Sequence, residues 1–210
     1  MNKAVLNSKY RLLEAAVSLM WTRGYHATSV DALCRQAHVT KGSFYYFFSS
    51  KSELAIATIQ WSRENTKRNV FDPLFKTNDG GLPLLQQMID KELDTQTALM
   101  HSTGHFLGCP FGGLGQEMAG HDEHIREAIQ SVFLAHCSYI EQALSRAVDL
   151  HEIQPGNMKQ KARLIFALME GAMLLAKVAK QPDLLQEITP MILLIAQQHA
   201  MPAALHRPRN

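Results

Sequence analysis

The sequence lacks several features that define membrane proteins and small secreted proteins. Its three cysteines, Cys34, Cys109 and Cys137, are far apart and odd in number, which argues against a disulfide scaffold and indicates a reducing cytoplasm. Its apolar runs, such as MILLIA at 191–196, are much shorter than a membrane-spanning helix requires. The first residues contain no apolar stretch of the kind found in signal peptides. We therefore expect a cytoplasmic protein with no membrane contact.

Signals for strands and for catalysis are also missing. No segment combines period-two alternation with enrichment in β-branched residues. The sequence has no glycine-rich phosphate loop, no G-x-S-x-G, no H-E-x-x-H and no cysteine pair with zinc-site spacing. Ten histidines are present, and His121 and His124 are spaced to share a helical face, but we predict no bound metal and no cofactor. An enzyme is therefore disfavoured.

Apolar residues with helical spacing recur along the chain, which is 46% hydrophobic. We predict an all-α fold of about nine helices. The first begins near Ser8 and ends before Gly24, and Thr28, Thr40 and Ser50 are the predicted N-caps of the next three. Later helices are predicted at 82–100, 122–150, 157–180 and 182–200, with a loop at 71–83, an irregular glycine-rich stretch at 101–115 and a frayed tail at 202–210.

Residues 28–54, TSVDALCRQAHVTKGSFYYFFSSKSEL, are the most informative segment. They predict two short helices joined by a tight turn, and in such a motif the second helix lies in the major groove of DNA. Lys41 and Ser43 at the start of that helix suit phosphates and base edges, and Gly42 allows the backbone to approach closely. Lys51 opens the following helix, where its charge and the helix start both favour phosphate.

The aromatic residues of this helix divide between two faces. Phe44 and Phe48 are four residues apart and are assigned to the core, so Tyr45, Tyr46 and Phe47 point more outward. An excess of basic residues near the N-terminus supports contact with phosphate, because residues 1–50 carry a charge of +4 in a chain whose net charge is +2. However, aromatic segments are more often core than contact surface, and helix-turn-helix shapes also occur in proteins that do not bind DNA. The residue pattern alone leaves both interpretations open.

The N-terminal segment resembles the DNA-binding domain of TetR-type transcriptional regulators. The matching positions are Ala15-Ala16, Gly24, Thr28-Ser29-Val30, Val39 to Tyr45, Phe48, Ser50-Lys51 and Leu54. The resemblance implies an all-α homodimeric repressor with a helix-turn-helix domain at 1–54 and a larger ligand-sensing and dimerisation domain at 55–210. The DNA-binding residues it implies, taken with those proposed from the pattern, are Thr28, Lys41, Gly42, Ser43, Tyr45, Tyr46, Phe47 and Lys51.

Two positions depart from the family's pattern. His38 occupies a turn position where glycine is usual, and a positive φ there would have a modest cost for histidine. Phe47 stands where a polar residue is common, so it either contacts a thymine methyl group or packs against the protein. The operator sequence is therefore not predicted.

The last two long helices are the expected dimer interface. The segment RLIFALMEGAMLLAKVAK is apolar nearly all round, and Gly171, Ala172 and Ala176 would allow close approach of a partner helix. Two such helices from each subunit form a four-helix bundle. The alternative is that the segment is an internal core helix.

The segment Gly108-Cys109-Pro110 suggests a sensor. Pro110 is suited to the first turn of a short helix, with Cys109 as its cap, where helix N–H groups would lower the thiol pKa. His101, His105 and His121 are near in sequence and would favour the thiolate if protonated. The alternatives for Cys109 are a small buried apolar residue, a reactive thiol or a metal ligand.

The expected inducer pocket lies among the middle helices. Its candidate walls, besides Cys109, are Trp61, Phe133, Cys137, Met169 and Met173, although such residues are more often plain core. A pocket of this kind favours an apolar small molecule. The expected function is a transcriptional regulator that releases a palindromic operator when an inducer, an electrophile or an oxidant acts on the C-terminal domain. The alternatives are a helical ligand- or partner-binding protein without DNA affinity or, less favoured, an enzyme.

Overall fold

The computed structural model describes residues 3–77 and 79–198, and every regular element in this part of the chain is helical. A π-helical segment, Lys67–Phe71, joins α4 to α5. Helices α5 and α10 are single turns, so the nine longer helices agree with the predicted number. The α-helices are α1 (Lys3–Arg23), α2 (Val30–Ala37), α3 (Lys41–Phe47), α4 (Lys51–Thr66), α5 (Asp72–Phe75), α6 (Gly81–Thr103), α7 (Pro110–Met118), α8 (Glu123–Asp149), α9 (Met158–Ala179), α10 (Leu184–Glu187) and α11 (Thr189–Gln197).

Local capping sets the helix starts in the N-terminal region. Thr40 accepts a hydrogen bond from the Ser43 amide, and Ser50 accepts one from the Glu53 amide, as predicted. The predicted cap at Thr28 is wrong, because Ser29 caps α2. The buried Thr28 hydroxyl instead donates to the Gly24 carbonyl at 2.7 Å.

The turn between α2 and α3 depends on one left-handed residue. His38 has φ 51° and ψ 49°, and its amide donates to the carbonyls of Arg35 and Cys34 in the last turn of α2. A glycine would adopt this conformation without steric cost. The positive φ that the resemblance implied is therefore present, and a histidine adopts it.

Several predicted boundaries differ from the structure. Helix α1 begins earlier, at Lys3, and the predicted loop at 71–83 contains the helical turn α5. The glycine-rich stretch at 101–115 contains the start of α7. The predicted last helix is divided into α10 and α11, because Pro190 lacks the N–H needed to continue α10. The predicted tail at 202–210 and the predicted helix end near residue 200 lie outside the described residues.

The packing of α8 connects two hydrophobic cores. One core gathers buried residues from α1 to α4 with parts of α7 and α8. The other gathers the π-helical segment with α5, α6, α8, α9 and α11. Helix α4 contacts both α1 and α8, so the helix-turn-helix rests directly on the helices of the C-terminal region.

Candidate nucleic-acid interface and internal cavity

Helix α3 presents a polar and aromatic surface. Lys41, Gly42, Tyr45 and Tyr46 are exposed, Tyr46 by 73% of its surface. The opposite face is buried, because Phe44 has no accessible surface and anchors the helix in the N-terminal core. This division agrees with the predicted burial of Phe44 and the predicted exposure of Tyr45 and Tyr46.

Lys41 and Phe47 have close neighbours within the protein. The Lys41 ammonium lies 2.7 Å from the Asp31 carboxylate, and both side chains are mainly exposed. The ion pair therefore positions the lysine at the start of α3 without burying it. Phe47 is half-buried and packs against the N-terminal core, with its ring centroid 6.4 Å from that of Phe48.

Two residues predicted to contact DNA have hydrogen-bond partners in the protein's own turn. The Lys51 ammonium donates to the carbonyls of Tyr25 and Thr28, at 2.9 and 3.0 Å, and lies 4.1 Å from the centre of the Tyr25 ring. Burial lowers the pKa of Lys51. Thr28 is buried, so neither its side chain nor that of Lys51 lies free on the α3 surface.

A cavity of about 340 Å³ opens among α1, α4, the π-helical segment, α6, α8 and α9. Both tryptophans of the chain, Trp21 and Trp61, line it. Three other predicted wall residues, Cys109, Met169 and Met173, also line it. Phe133 and Cys137 are not among the lining residues, because Phe133 packs behind the wall against Phe166, with ring centroids 5.2 Å apart.

A hydrogen-bond network fixes the peptide of Gly108 beside the cavity. The Gln96 side chain accepts from the Gly108 amide at 3.0 Å and donates to its carbonyl at 3.1 Å. The Trp21 indole N–H donates to the same carbonyl at 2.9 Å. Gly108 has φ 71°, a conformation that glycine adopts without steric cost. The network holds the following residue, Cys109, at the cavity wall.

Cys109 caps α7 as predicted, but its predicted acidity is wrong. Its sulfur accepts a hydrogen bond from the Gly112 amide at 3.2 Å, which favours the thiolate. Burial is the larger effect, and together with the Glu170 carboxylate it raises the pKa of Cys109 well above its ordinary value. The histidines expected to favour the thiolate, His101, His105 and His121, are exposed.

Helix α7 connects the cavity to the helix-turn-helix. It begins at the Cys109 cap and ends near Glu117, whose carboxylate accepts hydrogen bonds from the Tyr25 and His26 amides, both at 2.7 Å. These amides belong to the turn between α1 and α2. A displacement of α7 would therefore act directly on the turn that leads into the helix-turn-helix.

The outer face of α9 is apolar and exposed. Gly171 lies on this face, where an added Cβ would meet nothing within 4 Å. The predicted interface residues Ala172 and Ala176 do not lie there, because both are buried inside the protomer. Helix α11 adds Met191 and Leu194, and the large exposed apolar residues of α9 are Leu164, Leu174, Leu175 and Val178.

The sequence interpretation missed the polar residues of the cavity. Glu92 and Gln96 on α6 line it, and Gln96 has no accessible surface. A signal was present, because these residues continue the helical spacing of the buried Leu85 and Ile89. Polar residues on the buried, otherwise apolar face of a helix indicate a ligand-binding site. Glu117 gave no such local signal, because its partners are distant in sequence.

Comparisons with known proteins define the class. Residues 12–58 match the profile of the bacterial regulatory proteins, tetR family, and residues 81–192 match that of the tetracyclin repressor-like C-terminal domain. The HTH-type transcriptional regulator LmrA of Bacillus subtilis is 27% identical over 187 residues, covering 89% of this chain and 95% of LmrA. The HTH-type transcriptional repressor NemR of Escherichia coli is 25% identical over 180 residues, covering 83% and 86%.

The structural comparison agrees with the profiles. The reduced form of E. coli NemR superposes with a TM-score of 0.77 at 22% identity, covering 88% of this chain and 94% of NemR. This chain therefore belongs to the TetR family of transcriptional regulators, which bind DNA through a helix-turn-helix. Within residues 3–77 and 79–198, no helix is long and apolar enough to cross a membrane, and no three His, Cys, Asp or Glu residues are placed to hold a metal ion.

Proposed function

We propose that this chain is a homodimeric repressor that binds a palindromic operator through α3 and releases it when a small molecule enters the cavity. The observation that carries the proposal is the continuity between the two sites. Helix α7 starts at the cavity wall with Cys109, and Glu117 near its end holds the Tyr25 and His26 amides. The similar protein NemR of E. coli is named a transcriptional repressor, which supports repression rather than activation.

The coupling requires only a small displacement. Successive major grooves on one face of DNA are about 34 Å apart, so two recognition helices must keep a matching separation. A ligand that shifts α7 in each protomer would change that separation and weaken operator binding. By linkage, operator DNA would weaken ligand binding by the same factor.

The first test concerns the surface of α3. We expect Lys41→Ala and Tyr46→Ala each to weaken binding to the DNA upstream of the chain's own gene by about 1–3 kcal/mol. Lys41→Ala should also reduce the dependence of affinity on salt, because one phosphate-facing cation is lost. Fluorescence anisotropy with labelled duplex at several salt concentrations measures both effects.

The matched control is Lys159→Ala, which removes an exposed lysine from α9. It changes the net charge by the same amount and should leave operator affinity unchanged. If the wild-type protein binds this DNA no better than an unrelated duplex, the chain is not a repressor of its own gene.

Cys109 gives the cavity a second way to respond. A quinone that enters the cavity can form a bond between the Cys109 sulfur and a ring carbon. The electron pair of the broken ring C=C bond moves to one oxygen, which takes the thiol proton, and the proton of the attacked ring carbon moves to the other oxygen. The product is a hydroquinone thioether, so no further oxidant or reductant is needed. Because the pKa of Cys109 is raised, its alkylation should be slow at neutral pH. The alkylation rate should still increase with pH in the range where the rate of an unperturbed thiol has become constant.

We expect p-benzoquinone to release operator from the wild-type protein and from Cys137→Ser, but not from Cys109→Ser. Cys137 is a suitable control because it is half-buried and does not line the cavity. Gel shifts measure the release, and mass spectrometry at increasing pH measures the rate of labelling. If p-benzoquinone released operator from Cys109→Ser as readily as from the wild-type protein, the Cys109 thiol would have no part in the response.

A further inference from the structure

The cavity contains two acids without a cationic partner. Glu92 on α6 and Glu170 on α9 both line it. Glu92 accepts a hydrogen bond from the Gln96 side chain at 2.9 Å, and Glu170 lines the same cavity as Cys109. Among the described residues, neither carboxylate takes part in an ion pair.

The other ionisable groups of the wall do not balance these acids. His136 is surrounded by aromatic rings, and burial lowers its pKa to about 4, so it is neutral at neutral pH. Lys91 also lines the cavity, but its side chain is mainly exposed and its ammonium lies 3.7 Å from the Asp94 carboxylate. The interior surface is therefore acidic or, when its acids are protonated, without charge.

The two carboxyl groups are in an environment that opposes their ionisation. Burial raises the pKa of Glu92. Burial also raises the pKa of Glu170, and the charge of Glu92 raises it further. A cation placed beside them would favour their ionised forms and would gain charge-assisted hydrogen bonds or direct attraction in a place shielded from water.

The rest of the wall suits the apolar part of such a ligand. Trp21 and Trp61 line the cavity together with Phe71, Phe111 and Phe166. Aromatic faces attract cations, tryptophan most strongly. The volume, about 340 Å³, is at the small end of the range of ligand pockets.

We propose that the cavity selects a small organic cation, an arylalkylamine or an aryl quaternary ammonium compound, held beside Glu92 and Glu170 with its apolar part against the indole rings. This inference rests on the proposed function, because it names the class of inducer for the same cavity. It differs from the thiol response, since it requires charge and no covalent bond.

Isosteric probes test the charge directly. Phenyltrimethylammonium and tert-butylbenzene have nearly the same shape, and only the first is charged, while acetophenone is a neutral hydrogen-bond acceptor. Because both tryptophans line the cavity, intrinsic fluorescence reports binding without a label. We expect the cation to bind at least roughly tenfold more tightly than either neutral probe, because the aromatic faces and the carboxylates attract its charge in a place shielded from water.

Two variants locate the effect. Glu92→Gln keeps the size and the hydrogen-bonding capacity of the side chain, and we expect it to remove most of the preference for the cation. Asp90→Asn removes an exposed acid of α6 that does not line the cavity and should leave the preference unchanged. Thermal unfolding of both variants confirms that they are folded.

The outcomes separate this inference from the proposed function. Equal binding of the cation and tert-butylbenzene, tighter binding of acetophenone, or an unchanged preference in Glu92→Gln would overturn the cation inference and leave a ligand-controlled repressor. If no probe changes the tryptophan fluorescence and no probe releases operator, the cavity is not the effector site and both proposals fail.

Discussion

Gly81→Ala should lower the free energy of unfolding by about 3 kcal/mol, the upper part of the usual range for overpacking. Gly81 is buried where α6 crosses α8, and an added Cβ would lie 2.2 Å from both the Ala143 carbonyl oxygen and the Ala147 amide nitrogen. These are backbone atoms of a long helix, so no side-chain rotation can relieve the clash. The two helices must separate, which also disturbs the core beneath them.

Thermal unfolding at fixed protein concentration measures the effect, because a dimer's midpoint depends on concentration. A loss of this size should lower the midpoint by about 6–12 °C for a chain of this length. Gly113→Ala is the matched control, since an added Cβ there meets nothing within 4 Å. Alanine favours helix over glycine by about 1 kcal/mol, so the control should not lower the midpoint. A stable Gly81→Ala protein would show that α6 and α8 pack less closely than the structure places them.

Leu175→Glu should convert the proposed dimer to monomers and abolish tight operator binding. Leu175 is 64% exposed on the outer face of α9, beside Val178, which is 75% exposed. In a twofold dimer the same patch meets itself, so one substitution places two unpaired carboxylates in the interface. Buried unpaired charges cost several kcal/mol, and about 4 kcal/mol raises the dimer dissociation constant roughly a thousandfold.

Sedimentation measures the oligomeric state, and anisotropy measures binding to the upstream duplex. Operator binding should fall with dimerisation, because a monomer contacts one half-site only. The control is Leu134→Glu, which places the same charge at a leucine on α8 that is 55% exposed. It should leave the dimer intact. Monomers from the Leu134 variant, or dimers from the Leu175 variant, would assign the interface to another face.

The outer surface of α9 shows what periodicity can predict. Helical spacing identified α9 as apolar nearly all round, and Gly171 does lie on its outer face. The same spacing could not say which side turns inward, and the structure buries Ala172 and Ala176 against the protomer's own helices. The orientation of an apolar helix depends on the elements that cover it, and these are distant in sequence.

The two lysines of the helix-turn-helix show the same limit of prediction from sequence. Lys41 and Lys51 both begin helices, and from sequence both suit phosphate. The structure leaves Lys41 on the surface beside Asp31, whereas the carbonyls of Tyr25 and Thr28 hold Lys51. Those carbonyls belong to a turn whose position relative to α4 follows only from the packing of α1 against α4.

The sequence alone determined the all-α class, the caps at Thr40 and Ser50, and the cap of α7 at Cys109, because such features depend on hydrogen bonds between residues a few positions apart. Only the tertiary structure decided the charge state of Cys109 and the acidic interior of the cavity. Burial and the approach of Glu170 from α9 outweigh the local effect of the helix start. Both depend on which distant helices surround a group, and no local pattern records that.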